Sequence, residues 1–174
     1  EDWKVTETHE NYSSTSWAIT QTIQTPEKTL KQIKRYEKIF PHEIVEAILE
    51  YFIKDESDFE QFEKFQPPFP KLDCSDVTRT RDLLDEKGLV APWAQGVFNS
   101  VSIYRKTENI LMDAYKNPDL YKRMMIFFAD KMLDFIQQLV DAGADIICCG
   151  GNVANGLVAG PKFFSEHVLS YEKE

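Results

Sequence analysis

The chain has 174 residues, with 20 Lys or Arg against 29 Asp or Glu and a formal net charge of −9. That length supports a full core and ordinarily one domain. The acidic balance excludes nucleic-acid binding, which needs a basic face, and an electrostatic hold on anionic lipid. Three cysteines, two of them adjacent, cannot form a disulfide framework, so a reducing cytoplasm is expected. No apolar run approaches the roughly 18 residues of a membrane span, and no signal peptide opens the chain. It begins at Glu1 and stops inside an apparent helix, so it reads as a piece of a longer protein.

Residues 1–25 are rich in Thr, Ser and Tyr. The clearest strand runs from Ser16 to Thr25, with Trp17, Ile19 and Ile23 on one parity, and Pro26 stops it. A strand around Lys4 to Thr8 pairs with it as a hairpin through Glu10-Asn11-Tyr12-Ser13-Ser14. Residues 27–41 carry five lysines or arginines and read as a solvated connection. Ile44 to Ile53 fits a helix through Ile44, Ile48, Leu49 and Phe52, yet its aromatic and β-branched content also permits a strand. Asp55 caps the next helix, whose Phe59, Phe62 and Phe65 form an apolar stripe for core packing. Gln66-Pro67-Pro68-Phe69-Pro70 is a rigid crossing between layers.

Ser75 is expected to cap a helix that runs through Lys87 and closes at Gly88. Leu89 to Ala94 reads as a buried strand despite Pro92, with Gln95 to Ser100 as its exit loop and a further helix ending by Lys116. Asn117, Pro118 and Asp119 open a long helix with apolar residues at Tyr121, Met124, Met125, Phe128, Met132, Phe135, Ile136 and Leu139, closed by Gly143. Ala144 to Cys149 is a second strand, apolar on both faces, which belongs in a parallel sheet covered by helices. Gly150 to Gly156 is a flexible polar turn, and a last helix starts at Pro161. Strands alternating with helices point to right-handed parallel crossovers, with ligands expected at the C-terminal ends of the strands.

Ala142-Gly143-Ala144-Asp145-Ile146-Ile147, Asn152-Val153-Ala154-Asn155, Gly160-Pro161-Lys162-Phe163-Phe164 and Val168-Leu169-Ser170-Tyr171 together resemble the uroporphyrinogen decarboxylase superfamily, which also contains corrinoid-linked methyltransferases. Upstream, Thr25-Pro26 with Thr29-Leu30, Tyr51 to Asp55 with Asp58-Phe59, and Asn117-Pro118-Asp119 resemble further family segments in family order. The Tyr51 match favours an extended Tyr51 to Ile53. The resemblance implies an α/β fold: part of a (β/α)8 TIM barrel with an N-terminal β-hairpin over residues 1–30 and βα units over residues 75–174. Such a barrel takes about 250 residues, so one incomplete domain holding two or three of its strands is expected here. This sequence departs from the family pattern in having Asn152 for a frequent Asp, Gly160-Pro161 for Ser-Pro, and Ser170-Tyr171 for Pro-Tyr. The zinc ligands of the methyltransferases (H-x-C and a later Cys) and the Arg-rich motif and Asp of the decarboxylases have no aligned counterpart in residues 1–174. Residues 1–174 are therefore expected to be inactive alone, with catalytic residues unknown and no metal held. For the full-length protein the resemblance to the methyltransferases implies zinc and a corrinoid as cofactors.

Candidate substrate contacts are Asn152 and Asn155 in the polar turn, and Trp93, Gln95 and Phe98 after the other strand. Turn shaping is the competing account of both asparagines, and core packing that of Trp93. Cys148 and Cys149 project to opposite faces of a strand and so cannot jointly hold one ion; they read as small buried hydrophobes. His167, among Phe163, Phe164 and Val168, reads as a partly buried structural histidine. An eight-carboxylate tetrapyrrole needs clustered cations, and residues 150–160 carry none. Methyl transfer involving a methylated amine, thiol, ether or corrinoid makes no such demand and is the favoured reaction. Decarboxylation of a tetrapyrrole, or a non-catalytic subunit docking a corrinoid protein, are the alternatives.

Overall fold

A computed structural model describes residues 2–173. Its chain divides into two compact units, residues 1–67 with 103–109, and residues 68–102 with 110–174. One division falls inside the proline-rich break.

The first unit is an antiparallel meander of β1 (Lys4–Asn11), β2 (Ser16–Gln24), β3 (Thr29–Phe40) and β4 (Glu43–Glu50), in that order, followed by α1 (Glu56–Phe65). The expected hairpin is β1 and β2, with Val5 opposite Ile23, and it forms half of a larger sheet. Residues 27–41 are not a solvated connection, because twelve of them form β3. Leu30 and Gln32 share a parity and are almost wholly buried, while the intervening cations find cross-strand partners. Lys31 pairs with Glu50 at 3.0 Å and Lys34 with Glu46 at 3.0 Å. The basic composition therefore reflects a laddered strand, and the choice over Ile44 to Ile53 resolves to strand β4 and a non-helical Tyr51 to Ile53.

Asp55 caps α1 as expected, its Oδ1 accepting the Asp58 amide at 3.0 Å. Asp58 reaches back in turn, its Oδ2 accepting the Lys54 amide at 3.0 Å. Phe59 and Phe62 are fully buried. Phe62 meets Trp3, Phe52 and Tyr104 edge-on at centroid distances of 5.1, 6.1 and 5.5 Å.

The second unit holds α2 (Ser75–Leu84), a 3-10 turn (Asp85–Lys87), β5 (Trp93–Gln95), α5 (Pro118–Asp141), β6 (Cys148–Gly150), α6 (Gly160–Phe163), a π turn (Phe164–Val168) and α7 (Leu169–Glu172). Between β5 and α5 come α3 (Val97–Tyr104) and α4 (Thr107–Lys116), helices that each carry residues of both units. Ser75 does not cap α2: Cys74 holds that position without a side-chain bond, and the Ser75 amide donates to Asp73 at 3.0 Å. The carboxylate is the stronger acceptor and takes the N–H that opens the helix. Asn117 likewise occupies the cap position of α5 without a side-chain capping bond. Gly143 closes the region with φ of +100°, the left-handed geometry expected there.

The two predicted parallel strands are present and paired in parallel, Trp93 opposite Cys148 and Gln95 opposite Gly150. Each starts later than expected, at Trp93 rather than Leu89 and at Cys148 rather than Ala144. Pro92 has no N–H to give a ladder, and its carbonyl accepts Cys148 N at 2.9 Å. Before it, the Val90 carbonyl accepts the Asp145 and Ile146 amides at 2.9 and 3.3 Å, while its own N–H goes to a side chain, Asp145 Oδ2, at 2.9 Å. Arg81 Nη1 binds both oxygens of that carboxylate at 2.6 and 2.7 Å. Cys148 and Cys149 are exposed rather than buried, because a two-stranded sheet leaves one edge of each strand open.

Candidate functional site

The loops at the C-terminal ends of β5 and β6 lie together in the second unit. Only Gly96 separates β5 from α3, so the expected exit loop over Gln95 to Ser100 is instead the first turn of a helix. The Gly96 amide donates to the Gly150 carbonyl at 3.0 Å, tying the two strand ends. Gly150 is required by contact: a Cβ there would come within 2.9 Å of the Trp93 indole. Asn99, buried on α3, accepts the Val153 amide at 2.9 Å through Oδ1 and anchors the polar turn. Sequence reasoning passed over Asn99, although an asparagine between Phe98 and Val101 on an apolar helix signals a committed polar bond.

Two clefts open at these strand ends. One, of about 330 Å³, is lined by Gly96, Cys149, Gly150, Gly151, Ala154, Phe164 and Glu172. The other, of about 410 Å³, follows α5 along Ile126, Ala129, Leu133 and Ile136 and also takes in Gln95, Lys122, Asp130, Tyr171, Cys149 and Glu172. Burial raises the Glu172 carboxyl above its usual range, against the lowering effect of the Phe98 and Val97 amides. Burial also raises the Cys149 thiol, and the Glu172 and Cys148 charges add to it. The Tyr121 phenol is raised by burial and then by Tyr171 and Glu172, and its hydroxyl donates to the His167 carbonyl at 2.9 Å.

The expected contacts are distributed unevenly over this geometry. Gln95 lines the longer cleft. Trp93 is 49% exposed and lies over Gly150. Phe98 is fully buried, edge-on to Phe163 at 5.9 Å, so its ring serves the core. Asn155 donates to the Asn152 carbonyl at 2.6 Å and accepts the Leu157 and Val158 amides at 2.9 and 3.0 Å. Those bonds commit its side chain to shaping the turn. Asn152 is exposed in the same turn. His167 is half-buried, its ring 4.8 Å from that of Phe163 and 5.0 Å from that of Tyr115, as expected of a structural histidine. Among the described residues no group of three or more His, Cys, Asp or Glu side chains is placed to hold a metal ion.

Residues 40–174 match the family described as uroporphyrinogen decarboxylase (URO-D). The chain belongs to the URO-D family. The match begins within the last residue of β3, so the Thr25-Pro26 and Thr29-Leu30 resemblance lies outside it. No curated protein matches the chain. URO-D membership and the mixed α/β architecture agree, and no helix of the described residues is long and apolar enough to cross a membrane.

Proposed function

We propose that the URO-D chain contributes two strands and their helices to a (β/α)8 barrel whose strand-end clefts receive a small methyl-transfer substrate. The observation that carries this reading is the charge of those clefts. Among their Lys, Arg, Asp and Glu lining residues is one cation, Lys122, against the acids Asp130 and Glu172. A tetrapyrrole with eight carboxylates would meet net repulsion there, whereas a neutral or cationic methyl donor would not. Arg105, the arginine nearest a strand exit in sequence, is buried in the first unit and donates to the Ile53 carbonyl at 3.4 Å.

In this reading Gln95 orients the substrate by hydrogen bonding, and the apolar face of α5 excludes water from its body. Asn152 offers an acceptor without charge, suited to orientation rather than proton abstraction. Zinc and a corrinoid belong to the reaction class, zinc serving to activate a thiol or polarise a methyl donor. The described residues supply no three-ligand cluster for zinc, so no step is routed through it on this chain. The test is to offer the intact protein a corrinoid with methylated amines, thiols or ethers, and separately uroporphyrinogen. Methylcorrinoid formation, followed by absorbance, supports the reading. Carbon dioxide release from uroporphyrinogen overturns it in favour of decarboxylation, and specific binding of a corrinoid protein without turnover favours a docking subunit.

A further inference from the structure

Cys149 and Glu172 are the two residues common to the linings of both clefts. Glu172 reaches this place from α7 and rests on the head of α3. A Cβ on Gly96 would stand 2.7 Å from Glu172 Oε1 and 3.0 Å from Oε2, so the absence of a side chain at Gly96 creates the seat. The Phe98 amide donates to Oε1 at 3.4 Å. That bond is long, so close approach over Gly96 fixes the carboxyl group more than the hydrogen bond does.

We propose that Glu172 is a gate: its carboxyl group, seated on Gly96, divides the strand-end cleft from the apolar cleft along α5, and its release joins the two into one. Closure holds α7 against the strand ends, and opening gives a ligand at the loops access to the apolar face of Ile126, Leu133 and Ile136. Protonation state biases the gate. The folded carboxyl titrates above the ordinary glutamate value of 4.5, so the closed form binds the proton more tightly than a solvated carboxyl does. The closed contact is therefore fully favoured below that value and weakens as pH rises through the raised one. The groups facing the carboxyl are Cys149 on β6, Tyr121, Lys122 and Asp130 on α5, and Tyr171 beside it on α7. Lys122 is the one cation in this set. This inference goes beyond the methyl-transfer reading and holds whichever substrate the clefts take.

The two cysteines of β6 provide the test, because Cys149 lines both clefts and its neighbour Cys148 lines neither. Alkylation of each thiol by iodoacetamide is followed against pH in the intact protein by peptide mass spectrometry, together with hydrogen exchange of the peptide containing Phe98. Glu172→Gln keeps the shape and removes the charge; Gly96→Ala keeps the charge and fills the seat. Gly96→Ala should raise the Cys149 rate severalfold at neutral pH while leaving Cys148 unchanged, and should speed exchange at Phe98. Glu172→Gln, which imitates the uncharged closed form, should keep Phe98 protected and remove the loss of protection that the native protein shows as pH rises. In the Gly96→Ala, Glu172→Gln double variant the protection given by Glu172→Gln should be lost, since both substitutions act through one contact. Unchanged Cys149 reactivity in Gly96→Ala overturns the gate, as does a loss of Phe98 protection with rising pH in Glu172→Gln equal to that of the native protein. An equal rise at Cys148 and Cys149 also overturns it, because general loosening of the sheet would then be the cause.

Discussion

The two units of the URO-D chain handle open sheet edges in opposite ways. In the first, the edge strands β1 and β4 carry charge along their length, Lys4, Glu7 and Glu10 on one and Glu43, Glu46 and Glu50 on the other, which interrupts the exposed Val5, Ile44, Val45 and Leu49. Charged edges discourage pairing with other chains. In the second, the short strands β5 and β6 expose Trp93 and both cysteines, and Val140 and Ile146 are exposed outside the two clefts. An apolar, uncharged edge next to an apolar helix face is suited to burial by further structure. The barrel reading accounts for this contrast: an antiparallel meander needs no further strands, while two parallel strands are a fraction of a barrel.

Core substitutions break the comparison most sharply. Phe62→Ala in the first unit should cost about 3–5 kcal/mol in denaturant unfolding, since a fully buried ring with three aromatic neighbours leaves a cavity. Leu133→Ala in the second unit should stay near 0.5 kcal/mol, roughly the effect of a surface change, because Leu133 is 51% exposed. A large loss for Leu133→Ala in the intact protein would mean that this face is already covered there. That result would remove the apolar cleft as a ligand site.

What could be read from the sequence follows the same division. The long periodic helix α5 and the parallel pairing of its flanking strands were legible, since amphipathic spacing and apolar runs report burial directly. The strand β3 was not, because Lys31 and Lys34 look like a solvated run until their partners Glu50 and Glu46 on β4 are known. Strand starts failed by several residues for a local reason: Pro92 and the Asp145 side chain replace ladder bonds with other ones. At the site, glycine-rich turns marked the right loops, but Glu172 and Asn99 escaped notice. Each acts through a contact with a residue more than fifty positions away, which no local pattern encodes.

The loop anchor offers a finer test within the second unit. Asn99→Ala removes the acceptor for the Val153 amide and should cost about 1 kcal/mol, since that amide can turn to water in an exposed loop. Hydrogen exchange should rise across residues 150–159 and stay unchanged in β1 to β4. An effect spread over both units would show that Asn99 supports more than the turn.

The smallest expected effect concerns acid stability in the first unit. The Ser57 hydroxyl, chiefly, and then the Asp58 amide and the Lys28 charge hold the Asp55 carboxyl below its ordinary value of 3.8. A depressed folded value means that the unfolded chain binds the proton more tightly. The cap therefore contributes its full stability above about pH 4 and loses it as pH falls from the ordinary value through the depressed one. Because Asp55 is 64% exposed, water screens much of this gain and the loss should be modest. Asp55→Asn keeps an oxygen for the Asp58 amide while removing the titration, so its melting temperature should depend less on pH than the native protein's below pH 4. The Glu172→Gln variant supplies the opposite sign in the second unit. Removing a carboxyl whose folded value is raised should flatten the loss of stability on going above pH 4.5, not below it. Parallel acid slopes for the native protein and Asp55→Asn would show that the cap gains nothing from its charge, leaving the hydrogen bond alone to start α1.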